Sequence, residues 1–243
     1  MNEYVYRGKF GHFKGAIDHW PAYKKWTPRY LLEHIGADRM VEVQSGRDSD
    51  PDYENLSYKY KKEMRFGDYI DIVENRTTND IYMTANNMIM TKDYMKDLWN
   101  DIKNVGDNYL DITMQIPQTC AVHLWIGPKG TITPLHFDRN SNIFVQVYGK
   151  KRVTLIPAIQ IPYMYNRNIG VYSKMPSLTP DLKQFPEFAK AQMFQFDVNA
   201  GEILFIPTGC WHHVESLSPN ITFSMTHLID RTCNDFVDYP VGR

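Results

Sequence analysis

A mainly β fold with flanking helices, its strands closing into a barrel or sandwich, is what the sequence predicts. Three observations carry this. From about residue 119 onward, β-branched and aromatic runs of about five residues recur at spacings of about ten. The region from about Pro28 to Lys103 instead carries helix signals. The chain has 243 residues, 43% of them hydrophobic and 23% charged, the composition of one large globular domain.

The elements follow in order. Thr27 stands where an N-cap belongs, Pro28 at the first helical position and Gly36 just past the end; Leu31, Leu32 and Ile35 form the apolar stripe between them. A second helix is expected over Asp68–Glu74 and a third from about Thr91 to Ile102. Asp80–Thr84 is β-branched and aromatic enough for a short strand. Ala121–Ile126 reads as a strand and Gly127–Gly130 as a turn. Asn142–Tyr148 and Arg152–Ile156 flank Gly149-Lys150, a hairpin. Gln192–Phe196, Glu202–Phe205, His212–Glu215 and Ile221–Thr226 complete the strands. The stretch from about 157 to 188 is too long for a plain hairpin loop, and long inserts often carry function. The expected organisation is a single domain over 1–243, with a helical and strand flank over 1–118 and a barrel core over 119–228.

Composition excludes several classes. Lys plus Arg is 27 and Asp plus Glu is 28, a net charge of −1, so no global field draws the chain to nucleic acid or anionic lipid. Cys120, Cys210 and Cys233 are far apart and odd in number, which argues against a zinc ribbon or a disulfide scaffold. Met1–Phe10 is polar, without an apolar signal core, and no apolar run of about 18 residues appears. A cytoplasmic protein without a membrane span is the expectation.

The chemistry concentrates in Thr133-Pro-Leu-His-Phe-Asp138. His136 and Asp138 are two apart, so on an extended strand both leave the same face. An H-x-D match alone arises often by chance. Trp211-His212-His213, preceded by the turn residues Pro207 and Gly209, offers a third ligand. Two imidazoles and one carboxylate suit non-haem Fe(II), which needs open positions for a co-substrate and oxygen; zinc favours a more closed set.

Together, Thr133-x-x-His-x-Asp138, Asn142, Gln146-Val-Tyr-Gly-Lys-Lys-Arg152 and Ile206-Pro-x-x-x-Trp-His-His-Val-Glu-Ser216 closely resemble the cupin-like JmjC oxygenases, and among them the asparaginyl hydroxylase branch represented by factor inhibiting hypoxia-inducible factor. Asp18-His-Trp-Pro21 and Trp26-Thr-Pro28 resemble the family's entry segment. The resemblance runs from about Gly15 to Thr226. It implies a double-stranded β-helix, or jelly roll, of eight core strands, with Fe(II) near one end and 2-oxoglutarate as co-substrate. By motif position it implies His136, Asp138 and His212 as metal ligands, with His213 not coordinating. It implies Lys151 as the partner of the far carboxylate of 2-oxoglutarate, Thr133 and Tyr82 as hydroxyl donors to it, and Asn142 as a wall of its pocket.

Elementary physics agrees. A desolvated carboxylate needs a buried cation, and Lys151, just after the hairpin turn, can point into a barrel. The sequence departs from the asparaginyl hydroxylases at Thr226-His-Leu228, where they carry Asn-Phe-Trp; His227 is read as structural and Leu228 alters the substrate side. The chain also ends about 15 residues later, so dimerisation through C-terminal helices is not expected. The leading expectation is hydroxylation of an amino-acid side chain in a peptide or protein. An N-methyl-lysine demethylase and a non-catalytic metal-binding cupin are the alternatives. The region Gln44–Arg65, with its tyrosines and lysines, is either a peptide-binding wall or a solvated flap.

Overall fold

A computed structural model describes residues 4, 8–102, 122–166 and 170–225. Twelve strands are named within them: β1 (Gly11–Phe13), β2 (Met40–Ser45), β3 (Lys61–Arg65), β4 (Ile81–Tyr82), β5 (Val122–Gly127), β6 (Ile132–Phe137), β7 (Asn142–Tyr148), β8 (Lys150–Ile156), β9 (Phe194–Asn199), β10 (Ile203–Ile206), β11 (Trp211–Ser216) and β12 (Asn220–Met225). Strands β5 to β12 form a jelly roll. They divide between a five-stranded sheet, ordered β1-β10-β7-β12-β5, and a four-stranded sheet, ordered β6-β11-β8-β9; successive strands change sheet except β8 and β9, which pair with each other. All their ladders are antiparallel. A third, small sheet of order β3-β2-β4 belongs to the N-terminal flank.

Strand β12 shows why this sequence makes two faces. Ile221, Phe223 and Met225 alternate with Thr222 and Ser224, and all five are buried. The apolar set packs outward against the helical flank, where the rings of Phe223 and Trp26 lie 5.2 Å apart. The polar set points into the barrel, where Thr222 donates to the Gln146 side chain at 3.0 Å. Both faces of the sheet are covered, so polarity here separates two buried environments rather than core from water. Trp20, Leu31, Phe66, Tyr69 and Val73 from the flank complete the outer core. A separate cluster of Leu135, Phe137, Ile156, Met164, Phe188 and Trp211 packs the insert onto the four-stranded sheet.

The Pro28–Ile35 helix is capped as expected, with the Thr27 hydroxyl accepting from the Tyr30 amide at 3.1 Å. The second helix is longer than expected, Phe66–Asn75. The third is a correction. In place of one helix over 91–102 there are 3-10 turns at Ile89–Thr91 and Asp93–Met95 and a four-residue helix, Lys96–Trp99. Tertiary demands prevail there: Trp99 Nε1 donates to the Met90 carbonyl and Asp101 gathers Lys25, Trp26 and Tyr30, contacts a straight helix would not align. Four strands, β1, β2, β3 and β6, are not among the expected elements, although the His136–Asp138 spacing is read as that of an extended strand and β6 bears that reading out for His136. The strand expected at Gln192–Phe196 begins at Phe194 and continues to Asn199. The insert therefore runs over 157–193 and contains 3-10 turns at Ala158–Tyr163 and Pro186–Lys190. Residues 119–121, Thr226, His227, Leu228, Cys120 and Cys233 lie outside the described residues. Cys210 is buried as a free thiol. No helix among the described residues is long and apolar enough to cross a membrane.

The β7–β8 hairpin depends on Gly149. Its φ is +77°, and a Cβ there would lie 2.0 Å from the Pro219 carbonyl oxygen. Gly149→Ala therefore combines an unfavourable backbone region with a backbone clash. It should cost about 2 kcal/mol or more and lower the melting temperature by about 5 °C, as thermal denaturation followed by circular dichroism would measure.

Candidate active site

One pair of neighbouring strands brings the metal-ligating types together. In the β6–β11 ladder His136 stands opposite His212, next to a register shift between His212 and Val214. Their rings are 4.0 Å apart. Asp138 follows directly after β6, with its carboxylate 4.0 Å from His136 Nε2 and 3.7 Å from His212 Nε2. The three ligand atoms lie within 4.8 Å of one another, the only such group of three or more among the described residues. His136 Nδ1 donates to the Pro134 carbonyl at 2.8 Å, and His212 Nδ1 to the Cys210 carbonyl at 3.1 Å. Carbonyls only accept, so each Nδ1 carries the proton and each Nε2 presents a lone pair to the centre. Burial, reinforced by His136, pushes His212 down to about 4, which keeps it a neutral ligand. Asn142, at the start of β7, donates its Nδ2 to Asp138 Oδ2 at 3.4 Å, the carboxylate oxygen that also faces His212. His213 faces the opposite way, into a second cavity lined also by Pro134 and Met175.

Deeper in the barrel lies Lys151, on β8 and only 1% exposed. Its Nζ donates to the Tyr82 hydroxyl at 2.8 Å and lies 5.5 to 5.9 Å from the ring centres of Tyr82, Trp125 and Phe144. Among the described residues no carboxylate pairs with it. Burial alone pushes its ammonium down to about 7. A desolvated ammonium with one hydroxyl and three ring faces is a site prepared for an anion. Trp125 Nε1, nearby and buried, has no partner among the described residues either.

Tyr82 reaches this place through a specific support. The buried Tyr69, on the Phe66–Asn75 helix, donates its hydroxyl to the Ile126 carbonyl and accepts from the Met83 amide. That bond ties the end of β4 to β5, where Met83 bridges to Ile126. The Tyr82 ring then lies over Gly127, at which a Cβ would come within 2.6 Å of it. Burial pushes the Tyr82 phenol up, so it remains a hydroxyl that can donate.

All seven residues singled out by the sequence, Tyr82, Thr133, His136, Asp138, Asn142, Lys151 and His212, line one cavity of about 480 Å³. Its remaining wall was not foreseen. Trp125 comes from β5, where its alternation with Leu124 and Ile126 could have signalled an inward face. Gln44 and Glu54 come from the flank, and Tyr172 from the insert; Gln44 falls in the Val41-Glu42-Val43-Gln44 alternation of β2, whereas Glu54 and Tyr172 sit in no periodic pattern. Tyr172 bridges to His136 and stacks on its ring at 5.2 Å and 23°. The flap reading of Gln44–Arg65 is thereby divided: its first part forms cavity wall, whereas Lys59, Lys61 and Lys62 are solvated.

A jelly roll with an inward-facing His-Asp-His group and a buried lysine at its far end defines the cupin-like class. Residues 2–227 match the family model described as "Cupin-like domain", and the chain belongs to that family, which includes the JmjC domain proteins. It is similar to JmjC domain-containing protein D of Dictyostelium discoideum, at 28% identity over 91% of this chain and 52% of that protein. It is similar to HSPB1-associated protein 1 of Bos taurus, at 32% identity over 90% of this chain and 47% of that one. Lysine-specific demethylase 8 of Xenopus tropicalis matches at 26% identity over 88% of this chain and 46% of that one. The chain thus spans about half the length of these relatives.

Two outcomes are expected. Alanine at His136, Asp138 or His212 should abolish tight binding of one Fe(II) or Co(II), whereas His213→Ala should retain it, as metal titration would show. Lys151→Met should stabilise the unliganded protein. The folded pKa is depressed below the free value of 10.5, so the unfolded chain holds the proton more tightly and the burial penalty is full below about pH 7. It falls away as pH rises from there toward the unfolded value. The gain in melting temperature should therefore be largest below pH 7 and smaller at pH 9.

Proposed function

We propose that the chain is an Fe(II)- and 2-oxoglutarate-dependent dioxygenase that hydroxylates an amino-acid side chain of a peptide or protein. The observation that carries this reading is the pairing of two features in one cavity: a three-ligand group with its lone pairs turned inward, and a buried ammonium without an anion. A dianionic keto acid matches both ends. His136, Asp138 and His212 would hold the metal, leaving positions for the keto acid and oxygen. Lys151, Tyr82 and Thr133 would hold the far carboxylate. Bound iron would supply the oxidising chemistry that inserts one oxygen atom into a C–H bond while 2-oxoglutarate is converted to succinate and CO₂.

The chain's own residues account for the rest. The Pro134 and Cys210 carbonyls fix the two imidazoles, Asn142 orients the Asp138 carboxylate, and Trp125, Phe144 and Tyr172 exclude water around the reacting centre. Tyr172 also limits how the His136 ring can rotate. The asparaginyl hydroxylase likeness remains part of this proposal. A second reading, removal of a lysine N-methyl group by the same oxidant, is favoured by the relative named lysine-specific demethylase 8.

Incubation of peptide pools with Fe(II), 2-oxoglutarate and ¹⁸O₂ distinguishes them. A retained ¹⁸O atom on a side chain, with succinate formed in step, is the expected result. Formaldehyde from methyl-lysine peptides without a stable oxygenated product supports the second reading. Lys151→Ala should raise the apparent KM for 2-oxoglutarate by about 100-fold or more, because it leaves a carboxylate unpaired in a desolvated pocket. Above pH 7 the unliganded Lys151 loses its proton, so 2-oxoglutarate binding at pH 8 should take up a proton. Calorimetry in buffers of different ionisation enthalpy would measure that uptake.

A further inference from the structure

The edges of the two barrel sheets are not finished alike. Residues 171–173 cover the outer edge of β6, and the bridge between Met83 and Ile126 covers that of β5. The other edge of the larger sheet is β1, only three residues long. Strand β9, six residues long, pairs with β8 on one side. Among the described residues no strand or bridge lies on its other side.

The ladder identifies the backbone groups left over. The Leu217 amide donates to the Lys150 carbonyl and the Lys150 amide to the Ser218 hydroxyl, both at 2.9 Å, so the backbone of Lys150 faces away from β9. Backbone direction alternates along a strand. Lys151, Val153 and Leu155 therefore face β9, and their partners Val198, Phe196 and Phe194 face back. Gln195 and Asp197 turn their amides and carbonyls outward. Among the described residues these groups are met only by the Asn199 side chain, which reaches the Asp197 carbonyl at 3.5 Å.

Strand edges that stay single are blunted by lysine, proline or a bulge. Strand β9 has no lysine or proline, and its ladder with β8 is regular. Its one charge, Asp197, is paired within the chain, to Arg152 at 2.8 Å and Lys150 at 3.0 Å. Phe194 is 41% exposed and Met193 beside it 46%. The exposed Ile159 extends this apolar surface, since the Gln192 amide is tied to the neighbouring Gln160 side chain at 2.7 Å.

We propose that β9 pairs antiparallel with β9 of a second copy of this chain, about a two-fold axis at Phe196. The strand is complementary to itself in that register. Gln195 stands opposite Asp197 of the copy and Asp197 opposite its Gln195, so each outward amide meets an outward carbonyl. The Gln195 side-chain amide faces the Asp197 carboxylate across the pair. On the other face Phe194 meets Val198 and Phe196 meets Phe196. Such a contact is isologous and closes on two chains. It is also small, so the dissociation constant should be on the order of micromolar. No residue of β9 lines the cavity that holds the His-Asp-His group, so the pairing leaves that cavity open.

Sedimentation velocity of the full chain across the micromolar range should show a monomer–dimer equilibrium. Gln195→Pro removes an outward N–H and no bond to β8, a place where an edge strand tolerates proline; this variant should sediment as monomer throughout. Charge supplies a test of register. Gln195→Asp sets carboxylates opposite each other and should weaken the dimer by about threefold or more, whereas Gln195→Lys sets an ammonium opposite Asp197 and should tighten it by a similar factor. Thermal melts identify a variant that does not fold, and the wild type with the two charge variants decides the matter if Gln195→Pro is one. A wild-type chain that is monomeric throughout, a dimer that persists in folded Gln195→Pro, or charge variants that shift the equilibrium in the same direction would each overturn the proposal.

Discussion

The cross-strand register of β6 and β11 is the constraint on which the site depends. An antiparallel ladder fixes which side chains stand opposite one another and on which face. Here it sets His136 against His212, and the shift just beyond them lets the two strands resume pairing at Thr133 and Val214. A slip of one residue would turn His213 inward and His212 outward. The register is secured at a distance from the histidines, by the buried pairing of β11 with β8 on its other side. The geometry of the His-Asp-His group is thus a property of three strands.

The second organising element is a conflict. Burying Lys151 works against the fold, because the ammonium loses water and gains only one hydroxyl and three ring faces. The surroundings are arranged to keep this position: Tyr69 anchors the strand end that carries Tyr82, and Gly127 leaves room for its ring. Local rules of stability are broken where chemistry needs them broken. Among the described residues, buried polar atoms without a partner include three in the wall of this cavity, on Gln44, Trp125 and Asn142.

The legible parts of the sequence were those governed by short-range rules. The Thr27-Pro28 cap, the Gly149 hairpin and the alternation in β12 each follow from a few adjacent residues. The seven residues that meet in the cavity were marked by motif spacing within strands. What was not legible came from long-range assembly. Gln44 is buried because β2 pairs with β4, at Gln44 opposite Tyr82, and nothing near it in sequence announces that pairing. Tyr172 belongs to a stretch without regular periodicity, and Arg47 is buried only because Glu54, Tyr53 and the Ile132 carbonyl converge on it. The 91–102 region shows the reverse error, in which helix-favouring residues are overruled by the contacts of Trp99 and Asp101.

The insert does more than fill a gap between β8 and β9. Its residues 171–173 lie along the outer edge of β6, with the Phe137 amide donating to the Val171 carbonyl and the Ser173 amide to the Leu135 carbonyl. They act as a short additional strand on the edge that would otherwise end the four-stranded sheet. Uncovered backbone edges recruit other chains into intermolecular pairing. Trimming this barrel to its eight strands would therefore exchange a self-contained domain for an adhesive one, with the strand that carries His136 as the point of self-association.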